Sequence, residues 1–199
     1  MDKMNVEQNI CNLITPNRET FSPIKLSPHK FQGKNLTGTA CLVHNLAADI
    51  HSNIQKWNSF HIQGVTCLRN IIQLKRDKNY SVALQNLCDE LENVCNNLDS
   101  IVKNLEQIKH QLISITALQK TANKLFTTWP TNKFGEVAET IYKTYHKEAE
   151  LKRNLLENVA HHHTESWKMF YLAAWAHQPL VSENLTILLN LLLIETGLK

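Results

Sequence analysis

The chain has 199 residues, 43% of them apolar, and a formal net charge of only +3 at pH 7. That length supports one core-forming domain, or a core plus a tail. The charge gives no concentrated Lys/Arg footprint of the kind nucleic-acid binding needs. The nearest cluster, Arg69, Lys75, Arg76 and Lys78 with Asp77 among them, reads as a solvated corner between helices.

Gly and Pro number five each, and Pro16, Pro23 and Pro28 fall in the first 28 residues, so long helices are open to the rest. The five cysteines include no C-x-x-C pair, which speaks against a zinc finger. Three of them sit on apolar helical stripes and read as buried free thiols in a reducing compartment. Met1 to Ile14 contains no continuous apolar run of the secretory type. Leu185 to Ile194 is the most apolar stretch and contains Asn190, and it is half the roughly twenty residues a membrane span needs. A nuclear and cytoplasmic protein is expected, in which the sequons at Asn35 and Asn184 carry no sugar.

Residues 1–36 are expected to form a disordered arm, because Thr15-Pro16, Ser22-Pro23 and Ser27-Pro28 push each residue before proline out of the helical region. One helical turn is placed near Val6 to Ile14. Ser27-Pro28-His29-Lys30 fits the pattern read by cyclin-dependent kinases, which makes Ser27 a phosphorylation candidate.

A long helical hairpin or coiled coil is predicted over 37–126. Its first helix should run from about Thr39 to Leu74, with Leu46, Ile50, Ile54, Trp57, Gly64, Leu68 and Ile71 on one face. His61 and Gly64 interrupt that stripe, and Gly64 marks either a close crossing or a bend. After a turn at 75–81, with Ser81 as N-cap, the second helix carries the clearest pattern of the chain. Leu84, Leu91, Leu98, Leu105 and Leu112 occupy heptad position a, and Leu87, Val94, Ile101, Ile108 and Ile115 occupy d. Cys88, Cys95 and Val102 at e widen the stripe, and a wide stripe wants more than one neighbour. The expected neighbours are the first helix and a helix of a partner protein.

Thr127-Thr128-Trp129-Pro130-Thr131 ends the pattern, and 127–199 reads as a C-terminal helical region. A third helix is predicted from about Asn132 to His161. Its apolar stripe is Phe134, Val137, Ile141, Tyr145, Leu155 or Leu156, and Val159. Its outer face is charged through Glu136, Glu139, Lys143, Lys147, Glu148, Glu150, Lys152 and Arg153. Two short helices follow, Glu165 to His177 behind Thr164 and Glu183 to Thr196 between Ser182 and Gly197.

Little of this points to chemistry. His161-His162-His163 and Glu165 suggest a metal, yet adjacent helical residues point about 100° apart and cannot share one ion. No phosphate loop, H-E-x-x-H helix or nucleophile elbow is present. No enzyme is read here, and no catalytic residue, cofactor or metal is assigned. The candidate partner-binding residues are Leu91, Leu98, Ile101, Leu105 and Ile108 of the seam, then Trp129, Pro130, Trp175, His177, Gln178 and Pro179.

An ordered set of words carries a resemblance over roughly residues 40–199. It comprises Asn45-Leu46-Ala47-Ala48-Asp49, Lys56-Trp57, Thr128-Trp129-Pro130-Thr131, Phe134, Glu136-Val137, Tyr145, Lys147-Glu148 and Leu151-Lys152-Arg153. It ends with Trp175, His177-Gln178-Pro179, Val181 and Glu195-Thr196-Gly197. In these words the chain resembles the family of cyclin-dependent kinase 2-interacting proteins. The resemblance implies a non-enzymatic adaptor without cofactors, linked to cyclin-dependent kinase 2, a replication-initiating kinase, the origin recognition complex and checkpoint signalling. It also implies a place in a AAA+ ATPase assembly acting on maturing large ribosomal subunits and on replisomes, as one half of a helical heterodimer. The whole is expected to be all-α, a long antiparallel hairpin plus C-terminal helices. A self-associating coiled-coil scaffold or tethering subunit is the alternative, although Leu at a with Ile at d disfavours a simple parallel dimer.

Overall fold

Apolar residues spaced by three and four give each long segment one face that water disfavours, and the chain covers those faces with one another. The computed structural model describes residues 38–74, 82–118, 124–159 and 164–199. Within them lie α1 (Thr39–Leu74), α2 (Val82–Leu118), α3 (Thr131–Val159), α4 (Glu165–His177) and α5 (Glu183–Thr196), with no strand among the described residues. The expected bounds of α1, α4 and α5 hold, and α3 starts one residue earlier than expected. The arm at 1–36, with Ser27, lies outside the described residues, as do Ser81, the basic residues at 75–78 and His161 to His163.

α1 and α2 pack antiparallel. Near one end the Cys67 thiol donates to Glu90 Oε2 (3.8 Å), and farther along Asn104 Nδ2 donates to Asn53 Oδ1 (3.3 Å). α3 then runs back along α2. Lys109 Nζ lies 4.0 Å from the centre of the Tyr142 ring, and the Arg153 guanidinium donates to Asn96 Oδ1 (3.0 Å) and pairs with Asp99. α1 and α3 therefore run parallel, and Trp57 meets Tyr145 edge to face at 4.9 Å between ring centres. The result is an up–down–up bundle of three long helices.

α4 and α5 lie one after the other along the bundle, each packed on α1 and α3, from Trp175 beside His61 to Thr196 beside His44. Gln178 turns the chain after α4 with a left-handed backbone (φ 43°), uncommon for a side chain other than Gly, Asn or Asp. Gly197 makes the same turn after α5 at φ 75°, and its N–H reaches Ile194 O at 3.1 Å. Thr164 and Ser182 hold the extended N-cap backbone without a side-chain cap bond. No described helix is long and apolar enough to cross a membrane.

Candidate functional site

The predicted partner seam is filled from within. Leu91, Leu98, Ile101, Leu105 and Ile108 are all buried, covered by α1 on one side and α3 on the other. The place expected for a partner helix is taken by α3, whose Phe134, Val137, Ile141, Tyr145 and Leu155 are buried in the same core. Each fully buried side chain of this size contributes about 1.5–3 kcal/mol. Lifting α3 away to admit a partner would forfeit several of these, a loss comparable with a typical domain's whole net stability of about 5–15 kcal/mol. The seam is core.

The words at the C-terminal end divide in the same way. Trp175 is 0% exposed, and its ring fills the space left by Gly64, where a Cβ would stand 2.3 Å from Trp175 Cζ2. Gly64 thus serves a close approach by a side chain and marks no break in α1. Trp175 Nε1 donates to His61 O at 3.3 Å, and Trp57 Nε1 donates to Gln178 Oε1 at 2.7 Å. Gln178 is buried, while His177 and Pro179 face outward. Trp129 is half-buried with its ring 5.3 Å from that of Phe134, and Pro130 is exposed.

Beneath Trp175 lies a group that sequence reasoning placed on the surface. Glu148 and Lys152 of α3 are both 0% exposed, with Lys152 Nζ 3.2 Å from Glu148 Oε1. Lys152 also donates to Trp175 O at 3.1 Å, lies 4.5 Å from the Trp175 ring centre and stands 3.4 Å from His61 Nδ1. The Trp175 carbonyl needs this donor. Its helical partner would be the N–H of residue 179, and Pro179 has none. Glu148 Oε2 in turn accepts the Leu180 N–H at 3.2 Å. Burial pushes the Lys152 pKa down and the Glu148 pKa up, and their mutual attraction opposes both shifts. Burial and the neighbouring ammonium hold His61 neutral, with its pKa down at about 3.

A second tie fastens α5. Glu195 accepts from Thr128 N (2.7 Å), Thr128 Oγ1 (2.5 Å) and Trp129 N (2.9 Å), holding the strap that leads into α3. Burial raises the Glu195 pKa, but the bonds from Thr128 and Trp129 outweigh it and hold the carboxyl below its ordinary value. The thiols are packing groups. Burial pushes Cys95 up to about 11, away from the nucleophilic thiolate.

The described fold leaves apolar side chains exposed on α4, at Trp167, Met169 and Phe170, and along one face of α5. Ile187, Leu191 and Ile194 are 57%, 46% and 55% exposed. Their i, i+4, i+7 spacing puts them on a single stripe. Leu185, Leu189, Leu192 and Leu193, on the other side of the helix, are core. Sequence reasoning missed this surface because α5 is apolar all round, and hydrophobicity without a polar face does not say which side is inside.

No family model matches the sequence. Among curated proteins, the cyclin-dependent kinase 2-interacting protein of Homo sapiens is 30% identical over 81% of this chain and 91% of its own length. The protein of that name from Xenopus laevis is 28% identical over 90% of this chain and 98% of its own length. The one from Mus musculus is 29% identical over 76% and 86%. The match to the human protein spans four fifths of the chain, and the chain belongs to the family of cyclin-dependent kinase 2-interacting proteins.

Proposed function

We propose that this chain is a non-catalytic helical adaptor that binds its partners through the outer face of α5. The observation that carries the reading is the exposed stripe Ile187, Leu191 and Ile194 on a helix otherwise sunk in the core. An apolar row at i, i+4, i+7 matches the complementary row of a partner helix, so the occupant is an amphipathic helix of a second protein. The relatives are named for interaction with cyclin-dependent kinase 2, which supports that kinase as one partner.

The assembly is proposed from the family resemblance. In it the chain pairs with a helical partner protein inside a AAA+ ATPase complex that works on maturing large ribosomal subunits and on replisomes. Further contacts to a replication-initiating kinase and the origin recognition complex would tie it to checkpoint control, in nucleus and cytoplasm, with no direct part for nucleic acid or membrane. The buried seam supports a binding face elsewhere on the surface.

The test is affinity purification of the tagged chain from dividing cells, with crosslinking and quantitative mass spectrometry. An Ile187→Asp/Leu191→Asp chain should keep its helical circular dichroism and lose its stoichiometric partners, because each charge would have to enter an apolar contact. Full recovery of the partners by that variant refutes the α5 assignment. If the native chain recovers only itself, the scaffold alternative stands in its place.

A further inference from the structure

We propose that the partner helix runs on past α5 and over α4, so that one amphipathic helix of a second protein, with a Lys or Arg set into its apolar row, covers both. The inference rests on the reading of α5 as the partner face and says what kind of helix fits it. Size is the first argument. Even a large aromatic side chain covers only about 150–250 Å². Ile187, Leu191 and Ile194 are smaller and about half-exposed, so together they offer less than about 400 Å². A specific interface takes about 800 Å² from each partner. The α5 row alone is too small.

α4 supplies more of the same surface. Phe170 and Ala173 face outward at i, i+3, with Met169 and Trp167 exposed beside them. Phe170 is 53% exposed, and Trp167 meets it edge to face at 5.6 Å between ring centres. α4 and α5 both pack on α1 and α3, so their outer faces look the same way. They are also in line. Trp175 of α4 donates to His61 O, and Thr196 at the end of α5 lies beside His44. His44 and His61 are about 26 Å apart by the rise of α1. A single straight helix follows that line with about 17 residues, and with a further turn it reaches Phe170. Ile62, 59% exposed, stands five helical turns from His44 and therefore on the same side of α1, where it borders the row.

Charge selects the occupant. Among the exposed residues from Ser166 to Ile194, Glu183 carries the only carboxylate, and no Lys or Arg occurs. Glu183 stands one turn before Ile187 on the same stripe, between the α4 and α5 rows. A face without cations offers nothing to a nucleic acid or an anionic lipid surface. A second copy is also disfavoured, because two-fold pairing about the middle of the row sets Glu183 against its own copy. A helix of another protein meets that acid with a Lys or Arg and covers the rest with apolar side chains.

The experiment places the photoreactive p-benzoylphenylalanine singly at Phe170 and at Leu191 of the full tagged chain, irradiates dividing cells and maps the crosslinked peptides. Both positions should mark one helical segment of one other protein, at sites about 12–18 residues apart. Glu183→Lys, at unchanged helical circular dichroism, should cut both yields at least fivefold. If Leu191 marks a partner while Phe170 marks none, a different protein or a separate segment, the spanning helix is overturned and the α5 face stands. Native yields from Glu183→Lys overturn the matched cation. If neither position marks anything but a second copy, the α5 face falls as well.

Discussion

Removing one member of the Glu148–Lys152 pair is the sharpest perturbation the structure offers. Neither side chain has any exposed surface, and the ammonium serves Glu148, Trp175 O and the Trp175 ring together. Lys152→Met keeps the length and the packing but strands a buried carboxylate and an unpaired carbonyl. Breaking a buried pair in this way costs about 3–5 kcal/mol. The loss should deepen as pH rises. Glu148, already pushed up by burial, takes a proton to escape its penalty, and that escape costs about 1.4 kcal/mol more for each pH unit above its pKa. Glu148→Leu should cost a similar amount by leaving the ammonium unpaired and the Leu180 N–H without its acceptor.

The double variant Glu148→Leu/Lys152→Met decides the matter. It buries no charge, so only the Trp175 carbonyl and the Leu180 N–H are left unsatisfied, at about 1–3 kcal/mol each. The double should therefore cost about 4 kcal/mol less than its two singles together. Urea unfolding followed by far-ultraviolet circular dichroism at pH 6 and pH 8 supplies the cycle. Additivity of the two singles within about 0.5 kcal/mol would refute the coupling. A Lys152→Met cost below about 1 kcal/mol, within the range of an exposed pair, would refute the burial itself.

Gly64→Ala sets two effects against each other, a helix-propensity gain of about 1 kcal/mol and a Cβ driven into the Trp175 ring. The contact at 2.3 Å falls on a fully buried ring with nowhere to move, so overpacking of about 1–3 kcal/mol should win, and a variant more stable than the native chain would contradict the packing. His61 governs the acid side. Its folded pKa, about 3, lies below the ordinary 6.5, so the unfolded chain takes the proton first and stability falls as pH drops below 6.5. The loss is about 1.4 kcal/mol per pH unit. Glu148, raised by burial, works in the opposite sense on its own part of the curve. The quantity to measure is therefore the native chain against His61→Gln, whose stability should fall about 2 kcal/mol less between pH 6.5 and pH 5. Parallel curves for the two chains would dismiss the assignment.

The helices were legible because period and breakers agree. Leu84 to Leu112 at every seventh residue announced α2, and Pro130, Pro179 and Gly197 marked ends that the fold respects. The number of covers was not legible. A wide stripe on α2 asks for two neighbours, and periodicity cannot say whether the second belongs to the same chain. α3, shorter than α1 and α2 and charged over much of its length, did not look like the missing cover. Its charges misled for a specific reason. The apolar row on α3 lapses between Tyr145 and Leu155, and the helical period through that gap falls on Glu148 and Lys152. An i, i+4 Glu–Lys pair is ordinary surface chemistry unless it fills a gap in a core stripe, and there it is a buried pair.

That same geometry explains what many of the words shared with the family do in the fold. Thr128-Trp129 and Glu195-Thr196-Gly197 are far apart in sequence and meet through the Glu195 carboxylate. Trp57, Glu148 and Lys152 meet Trp175, Gln178 and Leu180. Unusual residues in a fixed order are what two short helices need when they are pinned to a bundle by buried polar contacts, since each donor fits only its own acceptor. An apolar stripe such as Ile187, Leu191 and Ile194 has no such demand, because many side chains of similar size fill the same contact. The recognisable residues therefore report how the chain folds, and the binding face proposed on α5 belongs to residues the fold could do without. Substitution at Trp175 or Gln178 should lower partner capture only in step with lost helical content, whereas substitution at Ile187 or Leu191 should lower it with the fold intact.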